Sequence, residues 1–126
     1  MSVVLDSSAL LAYLQQEPGG QGVRQVLDQA VMSTVNWAEV VGKARTAQVD
    51  TAGLLSELEA LGLSVLPFSA AQAELAGSLV AVAKPLGLSL GDRACLAVAM
   101  DRREKVYTAD RTWTALAADV QVETIR

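Results

Sequence analysis

At 126 residues, with 52% hydrophobic side chains and only 4% aromatics, the chain has enough material for one aliphatic core and too little for two. It contains no histidine, which removes Ser-His-Asp triads, Cys-His pairs, paired-histidine RNA cleavage and almost every zinc hydrolase site. Ten basic against fourteen acidic residues give a net charge of -4, unlike a typical nucleic-acid binder, yet four carboxylates on a divalent ion would leave ten against ten.

Hydrolytic chemistry in such a chain has to run on carboxylates and a hard cation. The single cysteine, Cys95, excludes an internal disulfide and a soft-ligand cluster, and its place in the apolar run Ala94 to Met100 reads as packing. No run nears the roughly 20 apolar residues of a membrane helix. Met1 to Asp6 has no basic region ahead of an apolar stretch, so a cytoplasmic protein is expected.

In chain order, Ser2 to Leu5 is predicted as a short buried strand ending at Asp6. Ser7 to Gln16 carries Leu10, Leu11 and Leu14 at helical spacing before Pro18-Gly19-Gly20 stops it. A second helix over about Gly22 to Gln29 groups Val23, Val26 and Leu27. Ala30 to Thr34 is the second strand, and the following helix begins near Asn36 and runs to about Gln48. Asp50 or Thr51 can cap a helix bearing Leu54, Leu55, Leu58 and Leu61, which Gly62 ends. Ser64 to Pro67 is strand three, and Ser69 caps an alanine-rich helix that reaches about Lys84 and stops at Pro85 and Gly87. Ser89 opens a helix that is apolar nearly all round from Ala94 to Met100, as for an element buried inside a domain. Lys105 to Thr108 is strand four, Thr112 to Ala118 a short helix, and Val120 to Ile125 the last strand.

Strands alternating with helices argue for an α/β fold with a parallel sheet covered on both faces and a functional crevice at the carboxyl ends of the strands. No repeat, linker or low-complexity tract divides the sequence, so one domain over residues 1–126 is expected.

Four acids fall at junctions between these elements. Asp6 closes the first strand, Glu39 lies in the first turn after strand two, Asp92 lies in the first turn of the buried helix, and Asp110 follows strand four. Taken one at a time, each is explained by capping: Ser89 with Asp92 fits a capping box, Asn36 with Glu39 resembles one, and Asp6 and Asp110 suit N-cap positions. Parallel topology, however, brings all four junctions to one edge of the sheet. Carboxylates crowded there raise one another's pKa unless something positive sits between them, and Mg2+ or Mn2+ suits an all-oxygen donor set.

Four segments carry a resemblance to a known family: Val3-Val4-Leu5-Asp6-Ser7-Ser8-Ala9-Leu10, Asn36-Trp37-Ala38-Glu39-Val40, Leu88-Ser89-Leu90-Gly91-Asp92-Arg93-Ala94-Cys95-Leu96-Ala97 and Val106-Tyr107-Thr108-Ala109-Asp110. In this order they resemble PIN domains, specifically the VapC-type toxins of bacterial and archaeal toxin–antitoxin pairs. The first and third segments are the specific ones. The resemblance implies a three-layer α/β/α fold with a mainly parallel five-stranded sheet ordered 3-2-1-4-5. It also implies a Mg2+- or Mn2+-dependent endoribonuclease that leaves a 5′-phosphate and a 3′-hydroxyl, a homodimer, and inhibition by a small VapB-type antitoxin. Carried over by position, Asp6 and Asp92 are metal ligands, Glu39 holds metal or its water, Asp110 completes the acidic pocket, and Thr108 matches a hydroxyl position that orients water or phosphate.

Arg93 and Arg111 each follow one of the acids and can meet RNA phosphates at the crevice rim, or else form local pairs. Lys43, four residues beyond Glu39, can pair with it. Trp37 and Trp113 suit base stacking or, better, packing. Glu17 to Gly22 is glycine-rich but follows a helix and lacks a Lys-Ser/Thr pair, so it reads as a turn and not a phosphate loop.

Two other classes compete. A phosphoacceptor receiver domain expects adjacent acids after the first strand and a lysine near the end of the last, whereas Asp6 precedes Ser7-Ser8 and Val120 to Ile125 has no lysine. A dehalogenase-like phosphatase would need its second aspartate where Ser8 stands. The remaining alternative is a non-catalytic binding module whose acids only cap helices.

Overall fold

Four helices begin where a short oxygen-bearing side chain follows extended backbone: Asp6, Ser33, Ser69 and Ser89 accept hydrogen bonds from the amides of Ala9, Val35, Gln72 and Asp92. Caps of this kind contribute about 0.5–2 kcal/mol each and fix where the chain turns from one element into the next. The computed structural model describes residues 2–116 and 118–126. Its first half runs β1 (Val3–Leu5), α1 (Ser7–Leu14), α2 (Gly20–Val26), β2 (Ala30–Ser33), α3 (Thr34–Thr46), α4 (Leu54–Ala60) and β3 (Ser64–Leu66). The second half runs α5 (Ala70–Ser78), α6 (Val80–Ala83), α7 (Leu90–Arg102), β4 (Val106–Thr108) and β5 (Val122–Thr124). Short 3-10 turns occupy Leu27–Gln29, Lys84–Leu86 and Arg111–Ala115.

The strands form one parallel sheet in the order β3-β2-β1-β4-β5, as the resemblance implies. Its pleat sorts the core into two layers, because successive side chains of a strand point to opposite faces. Val3 and Leu5 of β1 join Ala30 and Met32 of β2 on one face, under Leu10 and Leu11 of α1, Val23 of α2, Val40 of α3 and Leu58 of α4. Val4, Val31 and Val106 share the other face, under Leu79, Ala83, the α7 residues Cys95, Leu96, Val98 and Ala99, and Trp113. Helices thus cover both faces. Cys95 and Trp113 are packing residues, and Trp37 packs against the first layer.

Three local expectations change. Because the Ser33 hydroxyl takes the Val35 amide, α3 starts directly at the end of β2, and Glu39 falls in its second turn and not its first. The long helix expected up to Lys84 breaks at Leu79, where the Ser78 hydroxyl donates to the Leu75 carbonyl and the chain restarts as α6. The helix expected over Thr112 to Ala118 is a 3-10 turn ending at Ala115, since Leu116 is already extended; Ala117 lies outside the described residues. Gly62 ends α4 as expected, with φ of 108° and the Asp28 Cα 2.4 Å from where a Cβ would stand. No helix among the described residues is long and apolar enough to cross a membrane.

Leu96 is fully buried on α7, against the centre of the sheet. Leu96→Ala is expected to lower the unfolding free energy by about 2–5 kcal/mol in urea denaturation, through lost burial and an unfilled cavity.

Candidate active site

From β1 the chain builds outward through β2 to β3, then returns to place β4 on the other side of β1. The reversal opens a crevice at the carboxyl ends of β1 and β4. Asp6 follows β1 and Asp110 comes two residues after the end of β4, so both lie at this edge of the sheet. Glu39 reaches it from α3 and Asp92 from the first turn of α7.

Asp6 is 3% exposed and is gripped from three directions. The Ala9 amide donates to Oδ1 at 2.8 Å, the Thr108 hydroxyl donates to Oδ2 at 2.6 Å, and the Ser8 hydroxyl donates to both oxygens at 2.7 and 2.9 Å. Ser8 and Thr108 are themselves fixed by the amides of Ala109 and Asp110, at 2.9 and 3.0 Å. Burial nonetheless pushes the Asp6 carboxyl up to about 6, against the lowering effect of its hydrogen bonds, and the charge of Asp92 adds to the rise. Asp92 is also raised, first by burial and then by the charges of Glu39 and Asp110, against the lowering effect of its bonds to Ser89. The acids therefore lie within electrostatic reach of one another, with Asp92 as the hub. The buried Cys95 thiol beneath them is raised by burial and by Asp6, Asp92 and Glu39.

Three of the four acids also serve local backbone. Asp6 caps α1, Asp92 forms a capping box with Ser89 through Oδ2 at 2.8 Å, and Asp110 caps the 3-10 turn through Thr112. Glu39 caps nothing. Its Oε1 accepts from Asn36 Nδ2 at 2.9 Å, and its Oε2 lies 2.2 Å from where a Cβ on Gly91 would be. The expected Lys43 pair is not formed: the ion pairs among the described residues are Arg102–Glu104, Lys105–Glu123 and Arg126–Glu17.

Four carboxylates without an ion-pair partner among the described residues, two of them raised, suit a hard divalent cation. The residues present fit that group by donor chemistry, all oxygen and all anionic. Among the described residues no three acids are drawn into a ready-made cage.

A family model described as PIN domain matches residues 3–119. The chain belongs to the PIN-domain family. No curated protein matches it by sequence. Among solved structures it is similar to a toxin-antitoxin complex from Klebsiella pneumoniae, with a TM-score of 0.76 and 20% identity over 99% of this chain and 98% of that one. VapBC-1 from nontypeable Haemophilus influenzae gives a TM-score of 0.73 and 20% identity over 99% and 98%. Mycobacterium tuberculosis VapC20, a sarcin-ricin loop cleaving toxin, gives a TM-score of 0.70 and 16% identity over 90% and 94%. At these identities the likeness is one of fold.

In this PIN domain the two arginines that follow acids are partly engaged. Arg93 Nη1 donates to the Ala76 carbonyl at 2.9 Å, and Arg111 Nε to the Arg126 carbonyl at 2.9 Å. Thr108 is fully buried with its hydroxyl on Asp6, so it acts on that carboxylate and not directly on solvent or phosphate. The sequence alone assigns no site role to Ser8 or Gly91, and it reads Asn36 only as a cap partner of Glu39. For Ser8 the signal is the spacing of two residues after Asp6, which lets one hydroxyl bridge both carboxylate oxygens and the Ala109 amide.

The raised Asp6 carboxyl makes metal-free stability depend on pH. Between its ordinary value of 3.8 in the unfolded chain and about 6 in the folded one, the folded state holds the extra proton. This contribution, about 3 kcal/mol from the size of the shift, is fully present below the unfolded value and lost as pH rises through the folded one. Asp92 acts in the same sense. Urea unfolding of the metal-free Asp6→Asn variant is expected to show that its stability relative to wild type grows by about 1–3 kcal/mol between pH 4 and pH 7.5.

Proposed function

We propose that this PIN domain is a Mg2+- or Mn2+-dependent endoribonuclease, the toxin half of a toxin–antitoxin pair acting in the cytoplasm. The observation that carries the reading is Glu39: a carboxylate in the second turn of its helix, capping nothing and unpaired with Lys43, held at the start of α7 beside Asp92. Capping accounts for the other three acids and leaves this one unexplained, which weighs against a non-catalytic module. The fold likeness to VapBC complexes and to an RNA-cleaving toxin supports the substrate class and the antitoxin partner.

Asp6, Glu39, Asp92 and Asp110 would hold the cation, which when bound supplies Lewis-acid polarisation of the phosphoryl oxygen and a water of lowered pKa. Thr108 and Ser8 keep both Asp6 oxygens turned toward one orientation by donating to them. Glu39 Oε2, its partner oxygen being occupied by Asn36, would take the proton of the water that attacks phosphorus as the P–O3′ bond breaks and the leaving 3′-oxygen takes up a proton from solvent. Arg111, exposed beside Asp110, and the remaining donors of Arg93 meet the phosphates of the RNA backbone. Two copies of the chain pair as a homodimer, and a VapB-type antitoxin covers the crevice.

Asp92→Asn is expected to reduce Mn2+-supported cleavage of single-stranded RNA by at least about 100-fold, beyond the usual loss for an outer-shell partner, with its unfolding midpoint unchanged or raised. Chelation should silence the wild type and added Mn2+ restore it. A variant that cleaves at the wild-type rate, or a wild type that takes up no Mn2+ in calorimetry, would leave the acids as helix caps and the chain as a binding module.

A further inference from the structure

Asn36 sits on α3 one turn before Glu39 and is 1% exposed. Its Nδ2 donates twice, to Glu39 Oε1 at 2.9 Å and to the carbonyl of Gly91 at 2.9 Å. Both partners are acceptors only, so the amide orientation is fixed by chemistry and a flipped side chain would set oxygen against oxygen. The remaining atom, Oδ1, is buried with no donor among the described residues. An orphaned buried acceptor costs stability. An aliphatic side chain of similar size would avoid that cost, so fold stability does not account for an amide at this position. Its two donations join the acid of α3 to the first turn of α7, and that is what the position supplies.

Gly91 supplies the other half of the contact. A Cβ there would lie 2.2 Å from Glu39 Oε2, 2.6 Å from Cδ and 2.7 Å from Oε1. Gly91 lies inside α7 without a positive φ, so its backbone conformation makes no demand for glycine. A helical glycine costs stability relative to alanine. What glycine provides is the hollow into which the carboxylate fits, one residue before Asp92.

We propose that Asn36 and Gly91 are positioning residues for the metal chemistry: the amide pulls the Glu39 carboxylate onto the side-chain-free start of α7 and so fixes its place relative to Asp92. This rests on the nuclease reading above, and it assigns a role to two residues that neither touch substrate nor ligate metal. The atom that an alanine at position 91 would meet is the far end of a flexible side chain. Gly91→Ala therefore displaces Glu39 without disturbing the backbone, and Asn36→Leu releases it from the other side.

The experiment is Mn2+ titration calorimetry and thermal unfolding on wild type, Gly91→Ala, Asn36→Leu and Glu39→Gln, and on Glu39→Gln combined with each of the first two. Both single variants are expected to bind Mn2+ about 10–100-fold more weakly, the usual loss for an outer-shell partner, while unfolding at or above the wild-type midpoint. In the Glu39→Gln background neither is expected to weaken Mn2+ binding further, because residues that act through one group are not additive with its removal. Lowered midpoints with Mn2+ affinity unchanged would assign both residues to the fold and overturn the proposal. Losses that add fully to that of Glu39→Gln would overturn it too, since the two residues would then act independently of that carboxylate. A wild type that binds no Mn2+ defeats the nuclease reading and this inference together, whereas a wild type that binds, with variants equal to it, defeats this inference alone.

Discussion

A carboxylate buried at the centre of a parallel sheet is the constraint from which the rest of this structure follows. Asp6 ends the middle strand, and its two oxygens take the Ala9 amide, the Ser8 hydroxyl and the Thr108 hydroxyl. Those bonds join β1 to β4 across the point where the strand order reverses, and they start α1 at the same time. Hydrogen bonds to a charged group are worth more than neutral ones, yet here they fail to offset burial, and the carboxyl stays raised to about 6. The fold therefore carries an acid that is geometrically fixed and electrostatically unsatisfied. On the reading proposed above, such a group is one seat of a positive ligand.

Capping and convergence turn out not to be rivals. The N-cap role of Asp6 and Asp110 and the capping box of Asp92 exist because each acid sits where a strand or loop gives way to a helical turn. Parallel topology puts those same places on one edge. Helix amides stabilise each charge locally, through the dipole and the donated bonds, and so lower the cost of gathering several anions in one crevice. The remaining repulsion is visible in Asp92, raised by Glu39 and Asp110 as well as by burial. Caps make an acidic centre tolerable; they are part of how it is built.

Most of the sheet was legible because its signals are strong and local. Apolar runs as short as Val3–Leu5 and Val106–Thr108 are bounded by turn-forming residues, and the near-continuous apolar surface of α7 can only belong between a sheet and another layer. Boundaries were harder. Ser33 was read as strand interior when its hydroxyl starts α3, and that shift of a few residues moved Glu39 out of capping position. Ser69 to Lys84 reads as one helix by composition, and the side-chain bond from Ser78 to the preceding turn, which no periodicity encodes, marks the break. Long-range partners such as Asn36 with Gly91, or Ser8 with Ala109, were beyond the sequence because they depend on which strand ends meet.

Where local rules are broken, the breaks fall together. The raised Asp6 carboxyl, the orphaned oxygen of Asn36 and the helical Gly91 each cost stability on their own, and Glu39 beside them caps no helix among the described residues. All four lie at the carboxyl edge of the sheet or on the two helices that reach it, while the layers beneath, from Val4 and Leu5 to Leu96 and Val98, are fully or almost fully buried aliphatic side chains. A sequence under no demand but folding would place an alanine at position 91 and an aliphatic residue at position 36, and would exchange Asp6 for a neutral cap. Concentrated departures of this kind mark the part of a protein shaped by something other than its own folding. On the nuclease reading proposed above, that something is a hard cation with oxygen ligands.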